Sequence, residues 1–384
     1  MNEQERAWRE EFPVTAKLCY LNSCSLAPLP RSGAAALAEF TQQWSSLGSR
    51  AWYDHWVGEY EALRTDLARV LGAGADEIAL EPNVSAALVT VATTFDYAKR
   101  PKVVVADIDF PTDGQIWHAL ADRGVQVEIV RSPDGIGVPL EVFERAVDER
   151  TALVCTGHVY YRSGAIQDVA ALARICHAKG AALVVDAYQS IGAFPFDVGA
   201  SGVDYLVGGA LKWLMGGPGL AFLYARREVA ERARPQALGW WGVRDPFAFD
   251  VEHLEYGPGA RRFEYGTPAM AAVFTARAGI ALLERIGIPT VRQRHQVLSQ
   301  RLLEGALEQG WTANCPAQAV ERTAIVTLRH GDAPGAVEAL RRARVIADAR
   351  PGLIRLSPHY FNTAGEIDTA LEALAPLREA VPAG

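Results

Sequence analysis

A lysine and an aspartate near the middle of the chain have residue types suited to carbonyl chemistry. Asp186 ends the apolar run AALVVD, and Lys212 follows 26 residues later, ahead of the glycine-rich turn at 216–219. A lysine amine can form a Schiff base and then move protons, and a carboxylate can keep a pyridine nitrogen protonated so that the ring accepts electrons. The pair therefore fits a pyridoxal 5'-phosphate (PLP) site. Taken singly, such an aspartate is more often a helix cap or turn residue, and such a lysine a solvated surface charge.

Asp186 ends one of four apolar runs that indicate buried strands, and Lys212 also follows an apolar, strand-like run. Continuous rather than alternating apolar residues are typical of strands covered on both faces, and they occur at 103–108, 125–130, 152–157 and 181–186. Between the last two runs, the segment 168–180 has apolar residues at helical spacing and ends at a glycine. Repeated β-α-β units predict a mainly parallel, doubly wound sheet. In such a sheet, ligands bind outside the carboxyl ends of the strands.

The bulk composition indicates a globular protein of about two domains, since 384 residues exceed the roughly 100–200 residues of one domain. A net charge of -7 argues against nucleic acid or an anionic membrane as the main partner. Five cysteines without a C-x-x-C motif favour reduced thiols over disulfides. The chain begins with charged residues rather than a signal peptide, and no apolar run approaches the ~20 residues that span a bilayer. We therefore predict a cytoplasmic protein without a metal site.

The pattern changes after about residue 270, where helical segments dominate. The predicted helices and strands are, in order, helices at 269–287 and 291–310, a strand at 323–330, a helix at 335–343, a strand at 352–358 and a helix at 365–380. We predict a large cofactor-binding domain over 21–259. A smaller α+β domain is predicted to contain 1–20 and 260–384.

Two segments around the lysine and the aspartate resemble a known family. The stretches 157–198 and 202–219 are similar to the core of the class V aminotransferase group of fold-type I PLP enzymes. The resemblance implies that Lys212 carries PLP as a Schiff base and that Asp186 is the partner of the pyridine nitrogen. It also places Gln189 near the ring hydroxyl.

The segment EPNVSAAL (81–88) resembles the phosphate-binding turn of this group. The resemblance implies that Val84 and Ser85 offer backbone N–H groups and a hydroxyl at a helix N-terminus, where anions bind readily. Gly209 and Ala210 depart from the group, because they lack the hydroxyl or imidazole that usually contacts the phosphate there.

Within the group, the chain resembles kynureninases most. The stretch DFPTDGQIW (109–117) is similar to their F-P-T-D motif. The resemblance implies that Phe110 stacks on the pyridine face, an aromatic contact that also excludes water, and that Asp113 lies close to the cofactor. Without the motif, Phe110 would more often be a core residue.

Two further motifs imply a homodimer with sites at the interface. The stretches 238–250 and 259–270 resemble the kynureninase G-W-W-G-H and G-T-P segments. The matching positions, Trp241 and Thr267, would then contact the cofactor across the interface. Adjacent tryptophans are otherwise more often core or interface anchors.

The two ends of the chain resemble kynureninases as well. Residues 20–32 match their N-terminal segment, with Ser25 in step, and residues 347–363 match the motif that supplies an arginine for the substrate carboxylate. The resemblance implies this role for Arg355, since a guanidinium can bind a carboxylate through two parallel hydrogen bonds. His55, His253 and Tyr161 are further acid–base candidates, although each is more typical of a structural or solvent-facing residue.

Departures from the kynureninase pattern surround the predicted site. Leu211 precedes the lysine where kynureninases carry Tyr, Val243 stands where they carry His, and Asn22, Ser23 and Cys24 replace an acidic residue, Gly and Asn. These changes do not affect the predicted PLP binding, but they leave the type of reaction undecided.

The resemblance implies an enzyme that acts on an L-α-amino acid. Kynureninase-like hydrolysis of a Cβ–Cγ bond is the leading reaction, and β-elimination, C–S cleavage and transamination are alternatives. A persulfide mechanism is not expected, because it needs a nucleophilic cysteine ahead of the arginine motif and residues 345–353 contain none. A non-catalytic scaffold with this fold is the alternative from another class, and loss of Lys212 or Asp186 would have favoured it.

Overall fold

The computed structural model of the chain describes residues 3–378. Its strands are β1 (Cys19–Tyr20), β2 (Ile78–Glu81), β3 (Lys102–Ala106), β4 (Gln126–Val130), β5 (Thr151–Gly157), β6 (Ala182–Asp186), β7 (Tyr205–Gly209), β8 (Ala221–Ala225), β9 (Val326–Arg329), β10 (Val345–Ile346), β11 (Asp348–Arg350) and β12 (Leu353–Leu356). Its helices are α1 (Glu3–Glu10), α2 (Arg31–Leu47), α3 (Val57–Leu71), α4 (Val84–Ala92), α5 (Pro111–His118), α6 (Leu140–Ala146), α7 (Val169–Ala178), α8 (Val198–Ser201), α9 (Arg227–Arg232), α10 (Met270–Ile286), α11 (Ile288–Glu308), α12 (Ala333–Arg342) and α13 (Ala364–Leu374).

A seven-stranded sheet in the order β2-β8-β7-β6-β5-β3-β4 forms the centre of the molecule. Strand β8 is antiparallel to both of its neighbours, and the pairs from β7 to β4 are parallel. Both faces of the sheet are covered, because Leu183 and Val185 of β6 belong to one apolar core and Val184 belongs to another. This arrangement confirms the predicted α/β class with a mainly parallel, doubly wound sheet.

The four strands predicted from continuous apolar runs are β3, β4, β5 and β6, each within two residues of the predicted ends. β3 and β5 are buried along their whole length. β4 is more exposed because it lies at the sheet edge, where it pairs only with β3. The predicted helix at 168–180 is α7, and Gly180 follows it in the left-handed conformation, with φ of 68°.

The C-terminal part of the chain contains the predicted helices and strands around a three-stranded antiparallel sheet, β11-β12-β9. The last helix is shorter than predicted. It ends at Leu374 because Pro376 has no N–H to continue the helical hydrogen bonds. Residues 379–380 of that prediction lie outside the described residues.

The N-terminal segment packs on the C-terminal part. β1 pairs in parallel with β10, Arg9 forms an ion pair of 2.7 Å with Glu366, and the ring centroids of Phe12 and Phe361 are 4.3 Å apart. The division into domains at 21–259 and at 1–20 with 260–384 stays a prediction; residues 1–2 and 379–384 lie outside the described part. Across residues 3–378, every helix is too short or too polar to cross a bilayer.

Candidate active site

A cavity lies at the carboxyl ends of the parallel strands, the edge where the sequence predicted a ligand. The cavity is lined mainly by aromatic and acidic side chains. The predicted residues Lys212, Asp186, Phe110, Asp113 and Gln189 all line it. The remaining lining residues are Asp109, Gly157, Val159, Tyr160, Tyr161 and Tyr188.

The Lys212 side chain contributes an amine to this cavity. Its Nζ lies 4.1 Å from the centroid of the Tyr188 ring, within the range of a cation–π contact. Burial lowers the pKa of Lys212 from 10.5 to about 8, against the opposing attraction of Asp186. An amine of this pKa is partly neutral near neutral pH, and the neutral form is the one that attacks a carbonyl carbon.

The Asp186 carboxyl group lies at the end of β6 and faces the same cavity. One of its oxygens accepts a hydrogen bond from the backbone N–H of Tyr188, at 2.8 Å. Burial raises the pKa of Asp186, while that N–H and Lys212 oppose the rise. A cationic N–H donor in the cavity would favour the charged carboxylate, which is the condition that a protonated pyridine nitrogen offers.

Asp113 provides the clearest test of whether a cofactor fits. Its side chain is fully buried on the first turn of α5, and both carboxyl oxygens lack a hydrogen-bond partner within residues 3–378. Burial, followed by the charges of Asp186 and Asp109, raises its pKa well above the usual value. A buried polar group without a partner is costly, so a donor group in the cavity would satisfy Asp113. The acidic residues of the cavity therefore suit a cofactor such as PLP, whose protonated ring nitrogen is a hydrogen-bond donor.

Unlike Asp113, Asp109 already has hydrogen-bond partners, because its carboxylate oxygens accept from three donors. They accept hydrogen bonds from Thr156 Oγ1 at 2.9 Å, from Gly157 N at 2.8 Å and from Ala106 N at 2.7 Å. These contacts join the carboxyl ends of β3 and β5. Sequence analysis did not identify Asp109, although it directly precedes Phe110 in the F-P-T-D motif.

Phe110 presents an aromatic surface at the cavity entrance. Its side chain is 43% exposed, and its ring meets Tyr161 edge-on, with centroids 5.2 Å apart. An exposed ring on a rigid helix N-terminus is available for stacking on a planar ligand.

The predicted phosphate site at the start of α4 has the expected local geometry. Asn83 caps the helix by accepting a hydrogen bond from Ala86 N at 2.9 Å, and the N–H groups of Val84 and Ser85 precede the first intrahelical bond. The Ser85 hydroxyl lies 3.5 Å from that of Thr112. The start of α4 therefore adjoins the motif that carries Phe110 and Asp113, although Val84 and Ser85 do not line the Lys212 cavity itself.

The Gln189 side chain lines the cavity and also holds two other segments in place. Its Nε2 donates to Cys24 O at 3.0 Å, and its Oε1 accepts from Trp213 Nε1 at 2.9 Å. The carboxamide thus connects the N-terminal segment to the residue after Lys212. One N–H of Gln189 is left for a ligand.

Arg355 lies beyond the lining residues and is connected to the cavity through Tyr161. Its guanidinium donates to Tyr161 O at 2.7 Å, to Ser25 Oγ at 2.9 Å and to Asp348 at 2.5 Å. Asp348 pairs with Arg355 across the β11–β12 hairpin and also binds Arg350, at 2.8 Å. Burial raises the pKa of Asp348, but the Ser25 hydrogen bond and the two arginines outweigh it, and the net shift is downward.

Trp241 and Thr267 lie outside the Lys212 cavity. Trp241 is buried against Tyr60, with ring centroids 5.8 Å apart. Thr267 lines a separate pocket together with Glu81 and Tyr265. Their predicted contact with a cofactor across a dimer interface stays a prediction. Of the further acid–base candidates, only Tyr161 is at the cavity, while His55 and His253 are exposed to solvent.

Comparison with protein families matches residues 19–367 to the family described as aminotransferase class-V. The chain is 36% identical to the uncharacterized aminotransferase YcbU of Bacillus subtilis (strain 168), over 98% of each chain. It is 30% identical to a kynureninase of Deinococcus radiodurans, over 96% of this chain and 92% of that protein.

Among solved structures, an apo cysteine desulfurase from Thermococcus onnurineus NA1 has the same fold. The TM-score is 0.87 with 24% identity, over 97% of each chain. These comparisons confirm the resemblance to the class V aminotransferase group, both as a family and as a fold.

Proposed function

The chain belongs to the aminotransferase class-V family of PLP-dependent enzymes, and we propose that it acts on an L-α-amino acid through kynureninase-like chemistry at Lys212. The observation that carries this proposal is the cavity in which Lys212, Asp186 and the two F-P-T-D residues Phe110 and Asp113 meet. A lysine with a lowered pKa beside buried carboxylates in a cleft is a frequent mark of a catalytic site.

Each residue has a role that follows from its surroundings. Bound PLP supplies an electron sink next to the substrate α-carbon. Lys212 would hold the cofactor, and its Nζ would take the proton from the substrate α-carbon, because burial keeps that amine partly neutral. Asp186 would accept a hydrogen bond from the protonated ring nitrogen, Asp113 would lie close to the cofactor, and Phe110 would cover the ring and exclude water.

The substrate carboxylate is assigned to Arg355. The guanidinium is buried, with 1% exposure, and Ser25, Asp348 and Tyr161 fix its plane. An arginine held in one plane loses little freedom when it binds a carboxylate through two hydrogen bonds. This placement supports an α-amino acid as the substrate class.

Kynureninase-like chemistry would add water to a γ-carbonyl and cleave the Cβ–Cγ bond, which yields alanine and a carboxylic acid. The F-P-T-D residues at the cavity support this branch, as does the kynureninase relative. Transamination is the second candidate, because the Bacillus subtilis relative of 36% identity is described as an aminotransferase. C–S or other β-lyase cleavage is the third candidate, because the family resemblance seen in the sequence also allows it.

We further propose a homodimer in the cytoplasm. Trp240, Phe247, Phe249 and Val251 form an exposed apolar segment, which supports association with a second copy. The five cysteines are buried and unpaired, which supports a reducing compartment.

A product screen distinguishes the reactions. Purified protein is incubated with PLP and with kynurenine, 3-hydroxykynurenine, cysteine derivatives, or amino acids plus 2-oxoglutarate. The proposal predicts alanine and an anthranilate from a kynurenine. Glutamate formation would identify an aminotransferase, and pyruvate a β-lyase. Absence of any anthranilate would exclude the kynureninase-like branch, and a Lys212→Ala variant is the control for PLP chemistry.

A further inference from the structure

Tyr188 occupies a position between the reactive lysine and the end of β7. Its ring lies over Lys212 Nζ and rests on Gly209. A Cβ at position 209 would stand 2.6 Å from the Tyr188 phenolic oxygen and closer still to the ring carbons. Real Cβ atoms do not approach other atoms so closely, so a side chain at 209 and the Tyr188 ring exclude each other.

The Tyr188 hydroxyl has no hydrogen-bond partner in residues 3–378. Burial, with a smaller contribution from Asp186, raises the pKa of Tyr188 to about 12, so the phenol keeps its proton and can donate at neutral pH. A protonated donor without a partner, in the wall of a ligand cavity, is available to an anionic group.

Strand register places Gly209, on which the Tyr188 ring rests, two strands away from the predicted phosphate-binding turn. Gly209 of β7 and Glu81 of β2 both pair with Ala221 of β8. Neighbouring strands are about 4.8 Å apart, so Gly209 is roughly 10 Å across the sheet from Glu81. Glu81 is followed three residues later by Val84, the first residue of the predicted phosphate-binding helix.

We propose that Tyr188 is a cofactor-binding residue whose hydroxyl donates a hydrogen bond to the phosphate of PLP, in the space that Gly209 leaves free. The inference rests on the proposed function of Lys212. The Tyr188 hydroxyl would thus replace the phosphate donor that Gly209 and Ala210 cannot provide.

The test is the PLP affinity of the Tyr188→Phe apo-protein, measured by absorbance titration with PLP and, separately, with pyridoxal, which lacks the phosphate. We expect PLP to bind about 10- to 100-fold more weakly, the range for a lost hydrogen bond to a charged group. Pyridoxal affinity should not change. Wild-type affinity for PLP would overturn the inference. An equal loss of affinity for PLP and pyridoxal would show that Tyr188 contacts the ring rather than the phosphate, and it would overturn the phosphate assignment.

The matched control is Tyr97→Phe, which removes a buried phenol that donates to Ala92 O outside the cavity. It should leave PLP affinity unchanged, and the thermal unfolding of both variants reports any general loss of structure. If Lys212→Ala still binds PLP covalently, the proposed function fails. If only Tyr188→Phe behaves as wild type, this inference alone fails.

A pair of substitutions tests the exclusion between Tyr188 and residue 209. Gly209→Ser alone should lower both PLP affinity and unfolding temperature, because the added side chain meets the ring. Tyr188→Ala combined with Gly209→Ser should bind PLP more tightly than Tyr188→Ala, since a serine hydroxyl then enters the vacated space. If Gly209→Ser alone changes neither property, the ring does not rest on residue 209 and the inference is overturned.

Discussion

Loss of water around the Lys212 amine is the main cause of its lowered pKa. The nearby carboxylate of Asp186 acts in the opposite direction and raises the pKa. A surface lysine would remain almost wholly charged at neutral pH, whereas an amine of pKa about 8 has a useful neutral fraction. Under the proposed function, Lys212 would thus supply both the covalent attachment point for PLP and the catalytic base.

The pH dependence of cofactor capture should report this pKa. Only the neutral amine attacks PLP, and its fraction rises with pH through the folded-state pKa of about 8. We expect the rate of covalent PLP capture by the apo-protein to rise until about pH 9 and then to level off. Stopped-flow absorbance measures it. A rate that still rises towards pH 10.5, the ordinary lysine value, would mean that the amine is solvated.

The Arg355 guanidinium should be irreplaceable by another cation. Arg355→Lys removes the planar fork and its contacts with Tyr161 and Ser25. We expect KM for the amino-acid substrate to rise roughly 10- to 100-fold, as for loss of a charge-assisted hydrogen bond, with PLP affinity unchanged. Steady-state kinetics with Arg350→Lys as the matched control measure the effect. An unchanged KM in Arg355→Lys would exclude this residue as the carboxylate site.

At the scale of elements, α10 supports the segment that follows Lys212. Gly279 of α10 lies so close to this segment that an added Cβ would meet the carbonyl oxygen of Leu214 and stand 3.0 Å from the carbonyl carbon of Met215. The helix backbone and the segment are therefore in direct contact. The position of the lysine depends on that contact.

Gly279→Ala should disturb this support. Overpacking typically costs about 1–3 kcal/mol, and we expect a loss of this size in the free energy of unfolding, together with weaker PLP binding. Gly58→Ala is the control, because an added Cβ there meets nothing within 4 Å, and it should stabilise the fold by about 0.4–1 kcal/mol. Denaturant titration compares the two. Equal changes in the free energy of unfolding for the two variants would show that the α10 contact does not contribute to stability.

The sequence predicted β3–β6 well because strands covered on both faces are continuously apolar. It did not predict β2 and β8, although β8 is also continuously apolar; the antiparallel pairing of β2 with β8 joins distant parts of the chain, which no local pattern specifies. The lysine, its carboxylates and Phe110 were found through motifs. Asp348 and Tyr188 were not, because their roles depend on a hairpin register and on the space above a glycine.

At the scale of the whole molecule, the segment from Trp240 to Val251 is the most apolar exposed region that the sequence motifs mark. Phe249 is 74% exposed and Val251 97% exposed. Thr267 is exposed and lies outside the Lys212 cavity of its own chain, which leaves it available for the predicted contact across a dimer interface, whereas Trp241 is buried within its own chain.

Sedimentation should therefore give twice the chain mass of 41.6 kDa. Phe249→Asp should weaken the dimer and the PLP affinity together, because a buried charge is costly at an interface. Val320→Asp, at a side chain 68% exposed in the C-terminal part, should leave both unchanged. A monomer at all concentrations would show the homodimer prediction to be wrong.

Every proposed role at this site depends on Lys212 carrying the cofactor. Borohydride reduction of the PLP-loaded protein, followed by peptide mass spectrometry, tests it most directly. We predict one reduced PLP adduct, on the peptide that contains Lys212, and none in the Lys212→Ala variant. An adduct on another lysine, or one retained in Lys212→Ala, would contradict the assignment of this site.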